Sequence, residues 1–171
     1  QGGVLVVQSA SALGTTAGNT TVASGAALEL NSHMMTVADA LVLNGSGPAG
    51  KGALTNNAGL QASVSGAITL NSASTIGVQG ILNLNGGISG AQALTVAAAG
   101  TCNINSVIGN VASISKTGAG TLSLGAGSTH TFSGTATVSA GTMVNNALAN
   151  TMAASVASGA TLMGTGTNGA V

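Results

Sequence analysis

The sequence predicts an all-β fold in which residues 1–171 form a single parallel β-solenoid domain with coils of about 20 residues. Three observations predict this fold class. A strand-like segment recurs at a nearly constant spacing, apolar and polar residues alternate within each segment, and the chain contains 28 glycines but only 2% charged residues. Short strands, glycine-rich corners and this period are together typical of a stacked β-helix.

The repeats are regular over residues 80–171, where each contains a glycine followed by apolar residues. They read GILNLNG (80–86), GTCNINS (100–106), GTLSLGA (120–126), GTMVNNA (141–147) and GATLMGT (159–165). Their aligned apolar residues are separated by 20, 20, 21 and 19 positions. A second column runs in phase, since Ile88 and Ile108 are 20 apart, as are Leu94 and Ile114. The predicted core ladder is Leu82, Leu84, Cys102, Ile104, Leu122, Leu124, Met143 and Leu162.

The polar residues of the same repeats predict a second ladder on the outer surface. Successive side chains of a strand point to opposite faces, so Asn83 and Asn85 face outward when their apolar neighbours face the core. Stacked coils are about 4.8 Å apart, and asparagines at this spacing can form hydrogen-bonded ladders. The predicted polar ladder therefore pairs Asn83 with Asn103 and Asn85 with Asn105. A charged column would place like charges at the same spacing, which explains the low charge.

The repeats over residues 1–79 are predicted to be shorter and irregular. GALTNN (52–57) returns as GAITLN (66–71), a shift of 14 residues, with earlier echoes in GAALELN (25–31) and DALVLNG (39–45). A shift of 14 can be one strand and one turn instead of a full coil, so the number of coils here stays open. The clear loop is GSGPAGKG (45–52), which Pro48 marks and in which Lys51 is expected to be exposed.

The composition excludes several classes of function. Binding to nucleic acid requires several basic residues, whereas the chain has two lysines and no arginine. No unbroken run of about 18 apolar residues is present, so no membrane-spanning helix is predicted. Glu29 and Asp39 are the only acidic residues, which makes a catalytic pair of carboxylates improbable. The chain is predicted not to be an enzyme.

The few residues capable of metal or covalent chemistry have simpler interpretations. His33 and His130 are far apart in the sequence, and Cys102 is the only cysteine, so no metal-ligand spacing and no internal disulfide are predicted. Cys102 is expected to be a small buried hydrophobic residue in the core ladder. Lys116 is expected at a solvated corner. The sequence therefore predicts no catalytic residue, no metal and no cofactor.

Residues 114–146, ISKTGAGTLSLGAGSTHTFSGTATVSAGTMVNN, resemble the autotransporter-associated β-strand repeat. The matching segments are Lys116–Gly118, Gly120–Leu122, Phe132–Gly134, Thr137–Val138 and Ala140–Thr142. Phe132 stands where tyrosine is usual, and Met143 stands where leucine is usual. The resemblance implies a right-handed β-helix on a bacterial surface. The sequence begins QGGVLVV, without a basic segment or a start Met, so either a targeting segment has been removed or the chain is a piece of something longer. The family pattern carries no catalytic residues.

The two ends of the chain resemble each other and show no polar cap. Val22–Ala26 and Val156–Ala160 have the same sequence, 134 positions apart. An uncovered last coil leaves an edge for another chain, so copies are predicted to stack end to end. The alternative is that residues 4–7 form a strand donated to a neighbour. The predicted end-to-end contact consists of Val4, Leu5, Val6, Val7, Leu162 and Val171.

These features predict a structural, self-associating extracellular subunit of a bacterial surface fibre, sheath or matrix. Its predicted partners are copies of itself and other cell-surface components. One alternative is a passenger fragment of a large autotransporter-type adhesin, which would act as a binding module. Another is an ice-binding solenoid, suggested by the Thr-x-Thr pairs that begin at residues 129, 135 and 165. The first two pairs are too close in sequence to lie on successive coils of one face.

Overall fold

A computed structural model of the protein describes residues 2–126, 129–132, 134–147 and 153–166. Within these ranges the chain forms 19 β-strands and one 3-10 turn, Pro48–Gly50. The strands stack in parallel as a β-solenoid of about eight turns, which confirms the predicted fold class.

The strands have the following bounds. They are β1 (Val4–Val7), β2 (Asn19–Val22), β3 (Ala27–Leu30), β4 (Met35–Val37), β5 (Ala40–Gly45), β6 (Leu54–Asn56), β7 (Gln61–Val64), β8 (Ile68–Val78), β9 (Ile81–Leu84), β10 (Ile88–Ser89), β11 (Ala93–Ala98), β12 (Thr101–Ile104), β13 (Ile108–Gly109), β14 (Ser113–Thr117), β15 (Thr121–Leu124), β16 (Ala136–Val138), β17 (Thr142–Asn145), β18 (Ala154–Val156) and β19 (Thr161–Met163).

The strands form three stacked faces. The first sheet has the order β1-β3-β6-β8-β11-β14-β16-β18, and the third sheet has the order β4-β7-β9-β12-β15-β17-β19. The second sheet contains β2, β5, the start of β8, β10 and β13. Each full coil passes from the first sheet to the third and then to the second. The long strand β8 joins two faces, because Ile68–Leu70 pair in the second sheet and Ser74–Val78 in the first.

The register confirms the 20-residue period of the regular half. Leu82 pairs with Cys102, and Cys102 pairs with Leu122, each 20 positions later. The second column behaves in the same way, with Ile88 opposite Ile108. Alternating side chains of these strands enter a thin core of Leu, Ile, Val and Ala, since each coil covers the apolar side chains of the previous one.

The prediction that the repeats before residue 80 are shorter is wrong, because their coils are longer. Leu28 pairs with Leu54, 26 positions later, and Met35 pairs with Ala62, 27 positions later. The added length lies largely in the loop at residues 46–52, which contains the 3-10 turn. The shift of 14 between Leu54 and Ile68 is not a coil, because these residues lie in the first and second sheets respectively.

Glycines at one corner allow the coils to stack closely. Gly80, Gly100 and Gly120 lie one above another where the chain passes from the first sheet to the third. A Cβ atom at Gly100 would overlap the carbonyl oxygen of Gly80, and one at Gly120 would overlap that of Gly100. Only glycine fits such a close approach of backbones. This requirement accounts for the glycine that opens several of the regular repeats.

Candidate functional site: the two open ends

The predicted core ladder lies in two inward columns of the third sheet. Its members up to Met143 are fully buried, whereas Leu162 is only partly covered because it lies on β19, the last strand of this sheet. The inward column that contains Leu84, Ile104 and Leu124 continues with a polar residue, because Asn145 lies in register with Leu124 and is buried. Its Oδ1 accepts a hydrogen bond from the Ala147 N–H at 3.2 Å. A polar residue therefore replaces the apolar pattern near the C-terminal end.

The polar ladder forms on the outer face of the third sheet. Asn103 Nδ2 donates to Asn83 Oδ1 at 2.9 Å, and Asn105 Nδ2 donates to Asn85 Oδ1 at 2.9 Å. Asn83 in turn donates to Ser63 Oγ at 3.4 Å, which extends the ladder by one coil. These bonds link three successive coils without any charge.

The same face carries a column of threonines that the sequence analysis missed. The column is Thr101, Thr121, Thr142 and Thr161, one on each of four successive coils. The sequence pattern that predicts this column is visible in the repeats, because each threonine immediately precedes an inward apolar residue. By contrast, Thr137 stacks on Ser115 in the first sheet, and Thr131 pairs with Gly109 in the second. The predicted Thr-x-Thr pairs are therefore not the units that stack.

At the N-terminal end, the inward side of the first coil is open. Leu5 lies in register with Leu28 and points inward, yet 54% of its surface is exposed because no further coil covers it. Val4 and Val6 are also exposed. Val7 is different, since it is only 2% exposed and packs into the core. Its inward position is covered within its own chain, unlike those of the other predicted contact residues on β1.

The structure also places β1 within the solenoid itself. Residues 4–7 pair with β3 of their own chain, so the first coil already uses this strand. The other edge of β1 has no partner among the described strands. This arrangement favours stacking on the first coil over donation of β1 to a neighbour.

At the C-terminal end, the last described coil is open in the same sense. Val156 lies in register with the buried Val138, but it is 36% exposed. Leu162 is partly covered, and Met163 is exposed on β19. Val171, the remaining predicted contact, lies outside the described residues. Both ends of the described solenoid thus present apolar side chains and an unpaired parallel strand edge.

The repeated segment VASGA forms the same turn at two different corners. The N–H of Ala26 donates to Ala23 O at 3.0 Å, and that of Ala160 donates to Ala157 O at 3.0 Å. Gly25 and Gly159 have φ values of 79° and 80°, in the left-handed region that glycine adopts readily. The first turn leads from the second sheet to the first, whereas the second leads from the first sheet to the third. The repeated sequence VASGA therefore forms the same type of turn twice, but its two copies do not occupy equivalent positions in the coil.

Lys116 is buried, so its predicted position at a solvated corner is wrong. It is 0% exposed and occupies an inward column between Val96 and Val138. Its Nζ donates to the carbonyl oxygens of Thr117, Gly118 and Ala140 at 2.8, 2.6 and 3.2 Å. A longer bond of 3.5 Å reaches Ala98 O on the preceding coil. The ammonium group therefore ties three coils together through backbone carbonyls.

Burial changes the pKa values of two side chains in the regular half, Cys102 and Lys116. Burial raises the pKa of Cys102 to about 12, although the charge of Lys116 opposes the shift. Burial likewise lowers the pKa of Lys116, and the charge of Cys102 opposes that shift. Cys102 therefore stays a neutral thiol and behaves as the small hydrophobic residue that the sequence predicted.

His130 supports the second sheet from inside. Its Nδ1 accepts a hydrogen bond from the Ile108 N–H at 3.1 Å, so the ring proton lies on Nε2. Nε2 is buried without a hydrogen-bond partner among the described residues. Burial lowers the pKa of His130, which keeps the ring neutral. In this state it joins the coil of residue 130 to the coil of Ile108.

Among the described residues, no three His, Cys, Asp or Glu side chains lie close enough to hold a metal ion together. The same part of the chain contains no helix with the length and apolar character needed to cross a membrane.

Comparison of the chain with protein-family models, with curated proteins and with solved structures gave no match in any of the three.

Proposed function

We propose that this chain is a structural, non-catalytic subunit that stacks end to end into an extracellular bacterial fibre, sheath or matrix. The observation that carries the proposal is the exposure of inward-facing apolar residues at both ends, Leu5 at one and Val156 at the other. In the middle of the solenoid the same columns are buried because the next coil covers them. A second copy would cover them in the same way.

The geometry of the edges supports the same proposal. Each end of the described solenoid presents the free edge of a parallel strand, with backbone N–H and C=O groups available for pairing. Such a contact joins the first coil of one copy to the last coil of the next, so it is heterologous and continues without closing. The formal net charge is zero, so long-range repulsion does not oppose association. The resemblance of residues 114–146 to a surface repeat supports the proposed extracellular location.

Electron microscopy and sedimentation velocity test this proposal with variants at each end. Leu5→Lys and Val156→Lys place a charge in the inward columns of the first and last described coils, and both are expected to shorten or abolish filaments. Val107→Lys is the matched control, because Val107 is 47% exposed but lies between β12 and β13, away from the ends. Filaments unaffected by either end variant, or an unmodified chain that stays monomeric at high concentration, would contradict the proposal.

The threonine column supports ice binding as a second candidate function. Four threonines in register on one face repeat at the coil spacing of about 4.8 Å. A regular array of hydroxyl and methyl groups can order water against a surface. Thermal hysteresis that is present in the unmodified chain and lost in Thr121→Tyr would support this function. Absence of hysteresis in the unmodified chain would exclude it.

A further inference from the structure

A groove runs along the outer face of the first sheet, beside the loop at residues 46–52. Its volume is about 470 Å³, which lies in the range of sites for small ligands. The residues that matter for its chemistry are Glu29, Lys51, Thr55, Asn57, Gly77 and Ala97. None of these is an inward core residue, so a ligand would not disturb the stack.

The groove contains both charged side chains that reach the solvent. The chain has only four charged side chains, of which Asp39 and Lys116 are buried. The other two, Glu29 and Lys51, line this groove. Asn57 Nδ2 donates to Glu29 Oε1 at 2.9 Å, which orients the carboxylate. A chain that avoids charge almost everywhere thus keeps one negative and one positive group at a single groove.

The register shows where the backbones of these two residues lie. Glu29 pairs with Thr55, and Thr55 pairs with Gly77, so Gly77 lies two coils from Glu29 in the same outward column. The backbone of Lys51 lies directly over Gly77, because a Cβ atom there would overlap the Lys51 carbonyl oxygen. Two coil steps correspond to about 10 Å between the backbones of Glu29 and Gly77. Ala97 lies in register with Gly77 on the next coil and adds only a methyl group to the lining.

We propose that this groove binds a short peptide with free ends. Such a peptide carries one positive and one negative terminal group, which complement the two charged side chains of the groove. Its terminal ammonium binds the Glu29 carboxylate, and its terminal carboxylate binds the Lys51 ammonium. A neutral oligosaccharide would use neither charge, and the lining contains no aromatic ring for a sugar to stack on.

Equilibrium dialysis with isotopically labelled trialanine tests the proposal, because it reads binding whether or not the chain assembles into filaments. We expect saturable binding that weakens roughly threefold to fivefold in Glu29→Gln and again in Lys51→Gln, the effect of losing one solvent-exposed ion pair. Trialanine that is acetylated at the N-terminus and amidated at the C-terminus is expected to bind more weakly still. Ser123→Ala, on the outer face of the third sheet, is the matched control and is expected to bind normally.

Three results would overturn the proposal. The first is the absence of saturable trialanine binding to the unmodified chain. The second is equal binding of the free and the capped peptide, which would show that the terminal charges are not recognised. The third is binding of a neutral trisaccharide such as maltotriose in preference to trialanine. Circular dichroism of both charge variants, expected to match the unmodified chain, ensures that lost binding reports on the groove.

Discussion

The coils before residue 80 and the coils after it form the same three faces, but the two parts differ in how closely they keep to one coil length. After residue 80, successive strands such as β9, β12 and β15 lie 20 residues apart, and the glycine corner repeats with them. Before residue 80, successive strands lie 21 to 27 residues apart, and the longest coils carry the loop at residues 46–52. The strand registers remain parallel in both halves.

This difference shows where the fold tolerates variation. The interior of the regular half accepts a lysine, Lys116, only because backbone carbonyls surround its ammonium group. The outer surface of the irregular half accepts a loop, a groove and both accessible charges without such support. Tight stacking therefore restricts the regular half, whereas the irregular half has room for recognition. The following substitutions compare equivalent changes in the two halves.

The largest effect is expected at the glycine corner. Gly100→Ala is expected to lower the free energy of unfolding by more than about 3 kcal/mol, because the new methyl group would overlap backbone atoms that cannot move independently. Gly18→Ala is the control from the irregular half, where an added Cβ meets nothing within 4 Å. Urea unfolding measures both. Equal effects of the two substitutions would refute the argument that stacking requires glycine at this corner.

The next largest effect is expected at the buried lysine. Lys116→Met keeps a long side chain in the column but leaves carbonyl groups of Thr117, Gly118 and Ala140 without their donor, at a cost of about 2–3 kcal/mol. Lys51→Met changes the same residue type on the exposed loop and is expected to stay within about 0.5 kcal/mol. Urea unfolding at neutral pH compares them. A Lys116→Met chain as stable as the Lys51→Met chain would show that the hydrogen bonds from Lys116 to the backbone carbonyls add nothing to the free energy of unfolding.

An alkaline pH series is expected to have an effect comparable to that of the buried lysine. The pKa of Cys102 is raised from 9.0 to about 12 by burial, so above pH 9 the unfolded chain loses this proton while the folded chain keeps it. Stability is therefore lost as the pH rises from 9 towards 12, by about 1.4 kcal/mol per pH unit. The lowered pKa of Lys116 acts in the opposite direction, because below pH 10.5 the unfolded chain binds the extra proton.

Comparison of the unmodified chain with Cys102→Val separates the two groups. The variant is expected to lack the alkaline loss, since it retains Lys116 but has no thiol. The difference in unfolding free energy between the two chains, measured from pH 8 to pH 11, reports on Cys102 alone. A difference that stays constant over this range would show that the thiol ionises as readily in the folded chain as in the unfolded one.

The smallest effect is expected in the asparagine pairs. Asn103→Ala removes a half-buried hydrogen bond to Asn83 and is expected to cost about 0.5–1 kcal/mol. Asn71→Ala removes the exposed bond to Asn44 in the irregular half and is expected to cost less. Thermal unfolding of the two variants measures the difference. A larger loss for Asn71→Ala would mean that the ladder of the regular half adds no stability of its own.

The strand register could be predicted from the sequence where coil length is constant. Alignment of Leu82, Cys102 and Leu122 was enough, because stacked coils of equal length put like residues over like. The same method failed before residue 80, where GALTNN and GAITLN look alike although they lie in different sheets. Local similarity reports the pattern of a strand and its turn, but it does not report which face the strand occupies.

The site residues show a second limit of sequence analysis. Alternation places Lys116 inward, two positions after Ile114, but a lone lysine suggests solvent unless its hydrogen-bond acceptors are known. Those acceptors are backbone carbonyls from three coils, and no side-chain pattern encodes them. The groove could not be predicted from the sequence either, because Glu29 and Lys51 line one groove only as a result of a loop that folds back over Gly77.

The 20-residue register that β9, β12 and β15 share also bears on how such a chain can change over evolutionary time. Each coil of the regular half contacts its neighbours through the same columns, so its strands are interchangeable in position. Duplication or deletion of one whole coil, such as residues 81–100, would rejoin the chain in the original register. The length of the chain can therefore change by one whole coil at a time, whereas an insertion shorter than a coil has to form a loop on the surface.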